Sequence, residues 1–300
     1  MRTQFQLKEN RLLQAAAGDA TLRVSKLAAG EQAEVVGFLN QRADRTFGLL
    51  GFIHGNGLVS PHNRGTFYAC RDARGQLQGV ALIGHHLLFE ARNEAVIAAF
   101  ARLAQQCPAV YMLLGDHEDV QTFWYHYAPG GAEVRLFCRQ LLFEQRWPTA
   151  VREPVSGLRL ATPDNLDLIV PVHAQLVLEE CGDDPLQKDP DAFRNRCLRR
   201  IENRQTWVWI EAGRLIFKSD VVSDTPEVVY IEGMWVDARE RGKGYGKRCL
   251  SQLTSTFLSR SRAVCVLVNE GRHAAQDFYC RNGFTAAGVY DIIFLSQKIC

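Results

Sequence analysis

Between Arg239 and Lys247 the chain reads RERGKGYGK, placing Gly242, Gly244 and Gly246 at alternate positions among Arg239, Arg241, Lys243 and Lys247. Lacking a Cβ, glycine lets consecutive backbone N–H groups converge on one point, and a helix starting there adds positive potential. That combination holds phosphate or pyrophosphate. Spacing separates the candidates. A nucleotide P-loop needs G-x-x-x-x-G-K-[ST]; the Gly242–Gly246 interval is one residue short, and Arg248 replaces the magnesium-binding hydroxyl. The dinucleotide fingerprint G-x-G-x-x-G would need glycine at Lys247. What is present is Arg241-x-x-Gly244-x-Gly246, with Tyr245 between the last two glycines.

The elements around the loop are set by pattern. Residues 228–236 (VVYIEGMWV) are rich in Val, Ile, Tyr and Trp, which suit a pleated, half-buried strand. After the loop, Leu250, Leu253 and Phe257 recur at helical spacing. Residues 263–268 (AVCVLV) form an apolar run typical of a buried strand, and Asn269 follows it as a turn former or a cofactor contact. A short helical pattern then ends in DFYCRNGF, residues 277–284.

In this order and spacing the segments resemble the GNAT N-acetyltransferase superfamily, whose acyl-CoA loop is [QR]-x-x-G-x-[GA]. Its second signature is a strand ending in V-N, a helix, and F-Y-x-x-x-G-F. The resemblance covers residues 156–296, about half the chain. It implies acetyl-CoA as co-substrate, with its pantetheine arm along Met234, Trp235 and Val236. Its pyrophosphate would lie on Arg241, Gly242, Lys243, Gly244, Tyr245, Gly246 and Lys247, with Asn269 bonding cofactor or splayed backbone. Tyr279 matches the phenol that protonates the departing thiolate; a phenol with a reference pKa near about 10 is a neutral donor at pH 7. Its bland reading is a core tyrosine beside Phe278 and Phe284. Glu232 matches the glutamate that orients the amine or takes its proton through water. Alternation along the strand puts it near the same cleft as Met234, and its bland reading is a surface carboxylate.

Composition sets the outer limits. The chain has 300 residues, room for two ordinary domains, with 47% apolar and 23% charged residues, as in a globular protein. A formal net charge of +2 gives no global attraction to nucleic acid or to an anionic membrane. The first twenty residues contain no apolar leader core, and no window approaches a spanning length of apolar residues. Nine scattered cysteines, with no C-x-x-C, point to free thiols in a reducing cytoplasm. No metal site is expected: His85 and His86 adjoin in a strand pattern, where neighbours face opposite ways. The arginine-rich run at residues 191–203 reads as a solvated helix face. Glu179 and Glu180 could form an acidic rim for a cationic amine.

The pattern along the chain runs twice. Residues 20–145 suggest a strand at 21–27, a helix at 31–40, a long Gly/Asn/His loop at 48–65, a hairpin, a helix, a strand, a helix and a closing strand. Residues 157–296 repeat the plan after a proline-bearing linker at 146–156. Where the first half should carry its phosphate cradle, the residues after Leu88 contain no glycine until well past Phe100. The expectation is an α/β fold with a mixed sheet, two GNAT-like acyl-CoA transferase domains in tandem: 1–150 degenerate, 156–300 an intact acetyltransferase domain. The expected activity is direct transfer of acetyl to a small-molecule or peptide amine, since Cys249 and Cys265 have no activating His nearby. Two rivals remain: a longer-acyl or aminoacyl transferase, and a non-catalytic acyl-CoA-binding regulator.

Overall fold

The computed structural model describes residues 22–296. Its first half runs β1 (Arg23–Lys26), α1 (Gln32–Leu39), α2 (Ala43–Asn56), β2 (Gly65–Arg71), β3 (Leu77–Gly84), β4 (His86–Ala91), α3 (Glu94–Ala104), β5 (Met112–Asp116), α4 (His117–Tyr127) and β6 (Val134–Gln145). The second half repeats this order with β7 (Leu158–Leu160), α5 (Leu166–Cys181), α6 (Pro185–Lys188), α7 (Pro190–Glu202), β8 (Thr206–Glu211), β9 (Arg214–Asp224), β10 (Val229–Val236), α8 (Tyr245–Leu258), β11 (Val264–Asn269), α9 (His273–Arg281) and β12 (Thr285–Leu295). The leader segment considered above lies outside the described residues, as does Thr21.

Among the described residues all strands belong to one 12-stranded sheet, ordered β1-β2-β3-β4-β5-β12-β6-β11-β10-β9-β8-β7. The halves exchange their last strands. β6 leaves the first half to pair antiparallel with β11, from Val264↔Gln145 to Asn269↔Gln140, and β12 returns to pair with β5. β6 and β12 then pair with each other at the seam. Helices cover both faces: α1, α2, α5 and α7 on one, α3, α4, α8 and α9 on the other. Fully burying a large apolar side chain contributes roughly 1.5–3 kcal/mol, so the seam-spanning cluster of Phe47, Leu50, Tyr230 and Tyr290 ties the halves together. Phe47 stacks on Tyr230 at 4.3 Å between ring centroids.

One expectation is overturned. Residues 48–56 are not loop but the second half of α2. Here glycine serves close approach rather than turning: a Cβ at Gly48 would come within 2.7 Å of Leu88, and one at Gly51 within 2.6 Å of the Val222 carbonyl. Phe47, Leu50 and Ile53 supply the buried helical stripe that spacing should have favoured.

Candidate active site

The central strands part where the site lies. Parallel β10 and β11 pair only at Val229↔Val264 and Tyr230↔Cys265. Beyond Tyr230 the β11-facing edge of β10 has no strand partner, although β10 continues to Val236 and β11 to Asn269. The result is a wedge open at one end. On its far side β11 is held by β6, the strand donated from the first half.

A bulge aims the side chains of β10. Its register against β9 steps from Glu232↔Asp220 to Trp235↔Lys218, so β10 carries one extra residue there. Gly233, at φ +57°, takes the left-handed conformation this requires. Strict alternation fails as a consequence. Met234 and Val236 pack with the α8/α9 face, whereas Glu232 and Trp235 face α5 and α7. The expectation that Glu232 shares Met234's side of the strand is therefore corrected.

At the wide end of the wedge lies the basic loop. Asp237 caps its first turn by accepting the Arg239 N–H at 3.0 Å, and Arg214 grips Asp237 and Glu240 at 2.9 and 3.2 Å. Arg241 Nε donates to the Val236 carbonyl at 3.2 Å, folding the loop back onto β10. Gly242 and Gly244 sit at φ +77° and +80°, and Gly244 is the N-cap of α8. Cβ atoms there would meet nothing within 4 Å, so the glycines serve conformation and leave open space above the helix N-terminus. Gly246 packs against Val236 and Phe278. Tyr245 turns toward the sheet, edge-on to Trp209 at 4.9 Å. Lys243 is held by Glu240 at 2.8 Å, and Lys247 is exposed. Outside α8, a groove of about 520 Å³ joins Lys243, Gly244, Lys247, Arg248 and Arg281 to the linker residues Thr149–Glu153.

Tyr279, on α9, is buried and directs its hydroxyl at Met234 Sδ, 3.9 Å away. Burial alone pushes its phenol pKa above the ordinary tyrosine value, so it is a neutral O–H at the wedge. Asn269 Oδ1 accepts the Gly271 N–H at 2.9 Å, forming the turn into α9. Cys249 and Cys265 are buried, with thiol pKa values pushed up to about 12 by burial, which suits packing and not nucleophilic attack.

On the opposite face of β10 lies a polar network that pattern reading missed. Glu232 Oε1 receives Arg200 Nη1 at 2.8 Å, and the same guanidinium reaches Asp220 Oδ2 at 3.2 Å. Asp220 also takes Lys218 Nζ on Oδ2 and the Thr206 hydroxyl at 2.8 Å on Oδ1. Burial alone would raise the Asp220 pKa, but Lys218 and Arg200 hold it well below the usual carboxylate range. His173 Nδ1 lies 3.7 Å from Asp220, too far for a hydrogen bond. Burial and the charges of Lys218 and Arg200 keep this imidazole neutral. Glu180, near Glu232 at the end of α5, is solvent-accessible yet recessed; partial burial and the Glu232 charge push its pKa up to about 7. The readable signal was Lys218 and Asp220 inside an otherwise apolar strand. Arg200, assigned to a solvated face, turns inward.

The first half has the same wedge in closed form. β4 and β5 pair only at His86↔Met112 and Leu87↔Leu113. The space beyond is about 20 Å³, bounded by Leu88, Glu90, Leu114 and Tyr290. Only Arg92 and Asn93 separate β4 from α3, and Asn93 caps that helix through Val96 N–H at 3.1 Å. No glycine loop fits there.

A model of the acetyltransferase (GNAT) family matches residues 174–284. No curated protein matches the chain. Among solved structures, an acetyltransferase from the GNAT family of Colwellia psychrerythraea is 15% identical, with a TM-score of 0.52 over 91% of this chain and 99% of that one. A tandem GNAT protein from the clavulanic acid biosynthesis pathway is 15% identical, with a TM-score of 0.55 over 91% and 97% of the two chains. A Drosophila protein is 13% identical, with a TM-score of 0.64 over 94% and 100%. At these identities the likeness speaks for the fold, and it extends through both halves. The chain has a tandem GNAT fold, and its C-terminal half carries a domain of the GNAT acetyltransferase family.

Proposed function

We propose that the protein is an acetyl-CoA-dependent N-acetyltransferase that acts on a primary amine through its C-terminal wedge. The observation that carries this reading is the unpartnered β11-facing edge of β10, with the glycine loop at one end and Tyr279 at Met234. Backbone groups of Met234–Val236 would bind the pantetheine amides, as an added strand would. The N–H groups at Gly244–Gly246, the α8 N-terminus and Arg241 would hold the pyrophosphate. The outer groove, with Lys247, Arg248 and Arg281, has room and charge for the nucleotide end.

The thioester supplies the acetyl group; the chain supplies proton handling and orientation. Tyr279 Oη donates its proton to the leaving sulfur. Glu232, fixed by Arg200, orients the amine. Glu180, poised near neutrality and without a hydrogen-bond partner among the described residues, takes the amine proton through water. A direct attack is favoured because the buried thiols offer no activated nucleophile. The test is amine-dependent release of CoA thiol across amines, polyamines, amino acids and peptides, with acetyl- and longer acyl-CoA donors. Tight acetyl-CoA binding without turnover for any amine would favour a sensing role instead.

A further inference from the structure

The polar face of β10 continues into a basic patch at the seam between the halves. Arg196 and Arg200 lie one turn apart on α7, so they share a face. Arg200 is spent on Glu232 and Asp220. Arg196 is half-buried over the Phe193 ring at 5.4 Å, and neither its guanidinium nor that of Arg64 makes a side-chain hydrogen bond or ion pair among the described residues.

Arg64 belongs to the first half and is fixed from its backbone. It holds φ +53°, and its carbonyl accepts the His85 N–H at 2.8 Å. Gly65 and Gly84 close tightly around it: a Cβ at Gly84 would come within 2.3 Å of the Arg64 carbonyl oxygen. Arg64 is exposed to solvent, yet desolvation on its protein-facing side and the charge of Arg196 draw its pKa below its ordinary value. His85 stacks on Tyr111 at 4.7 Å beside these arginines. His86, within reach of the same charges, has a buried Nδ1 without a partner among the described residues. Burial and the surrounding cations keep both imidazoles neutral, so they can add N–H donors but not charge.

The carboxylates nearby are already engaged. Asp183 is held by Lys188 at 2.9 Å and Arg135 at 3.1 Å. Asp189 caps α7 by accepting the Ala192 N–H at 2.9 Å. Two guanidiniums from opposite halves thus stand without a side-chain ion pair, on the side of α7 where Arg200 holds Glu232, with only the charge of Asp189 offsetting Arg196. Like charges gathered together repel, and an anionic ligand between them relieves that repulsion.

We propose that the acceptor is a primary amine carrying an anionic group at its far end, carboxylate or phosphate, which Arg64 and Arg196 bind across the seam. This deepens the acetyltransferase reading and rests on Glu232 marking the amine end. One helical turn separates Arg196 from Arg200, so the charges of the acceptor should lie on the order of 6 Å apart. That length suits an ω-amino acid better than the α-amine of glycine.

The experiment compares kcat/KM for matched acceptors: ω-amino acids from glycine to ε-aminocaproate, alkylamines of equal length, and phosphoethanolamine with ethanolamine. The anionic member of each longer pair should be preferred about 10- to 100-fold, the worth of a charge-assisted hydrogen-bonded pair, chiefly through KM. Arg196→Gln and, separately, Arg64→Gln should each shrink that preference by about tenfold. The carboxylate and phosphate arms identify which anion is the native one. Equal use of both members of each pair, or an unchanged preference in both variants, would overturn the anion site while leaving acetyl transfer intact. If no amine is turned over although acetyl-CoA binds, acetyl transfer fails; the anion site is then judged by calorimetry with the same ω-amino acids. Binding that weakens about tenfold in Arg196→Gln supports it, and absent or unchanged binding refutes it.

Discussion

Glu232 and Met234 stand two residues apart on β10 yet face opposite sides of the sheet, because the bulge at Gly233 adds a residue between them. The bulge sends Met234 to Tyr279 and Glu232 to Arg200, which in the proposed mechanism are the leaving-group side and the amine side. Different substitutions should therefore disturb different steps.

On the amine side, Glu180 must be deprotonated to act as base. With its pKa raised to about 7, the rate should climb as pH rises through neutrality and level off above it. Glu180→Gln should lower kcat by about 10²–10⁴-fold and remove that limb. Glu232→Gln should instead raise KM for the amine and leave the limb in place. A pH–rate profile of both variants checks this, and an unchanged limb in Glu180→Gln would remove it from the mechanism.

At the loop, Gly244 holds φ +80°, which costs a side-chain-bearing residue about 1–2 kcal/mol. Gly244→Asp adds negative charge where the pyrophosphate would lie. The variant should stay folded with a modestly lower Tm and lose acetyl-CoA binding by calorimetry. Retained micromolar affinity in the folded variant would place the pyrophosphate elsewhere.

The closed first wedge leads to a stoichiometry. Its 20 Å³ cannot take a pantetheine arm, and the β4–α3 connection has no phosphate cradle. Calorimetry should give one acetyl-CoA per chain. Two equivalent sites would contradict the degenerate first half.

How much of this was legible in the sequence depended on whether the signal was local. The loop, the 263–268 strand and the Tyr279 helix announce themselves because spacing and composition set them within a few residues. α2 was hidden because Gly48 and Gly51 answer to Leu88 and Val222, distant in sequence. The bulge was hidden because one left-handed glycine reverses the alternation that pattern reading assumes. The Lys218–Asp220–Arg200–Glu232 network needs α7 and two strands to meet before it exists. The exchange of β6 and β12 leaves no local trace at all.

That exchange has a consequence for separating the halves. Residues 156–300 alone would lack β5 and β6, exposing the β11 edge and stripping β12 of both its partners. That piece should aggregate or melt without cooperativity, and co-expression with residues 1–155 should restore a cooperative transition by circular dichroism. A cooperative melt of the isolated C-terminal piece would show that the donated strand is dispensable.

The most direct measurement is amine-dependent thiol release by the wild type and Tyr279→Phe, alongside acetyl-CoA affinity. The substitution removes one hydroxyl and almost no packing. Turnover should fall about 10²–10⁴-fold while the Kd for acetyl-CoA stays within about twofold. Near-full turnover in Tyr279→Phe, or no amine-dependent release from a wild type that binds acetyl-CoA, would contradict the C-terminal wedge as an acetyl-transfer site with Tyr279 as its acid.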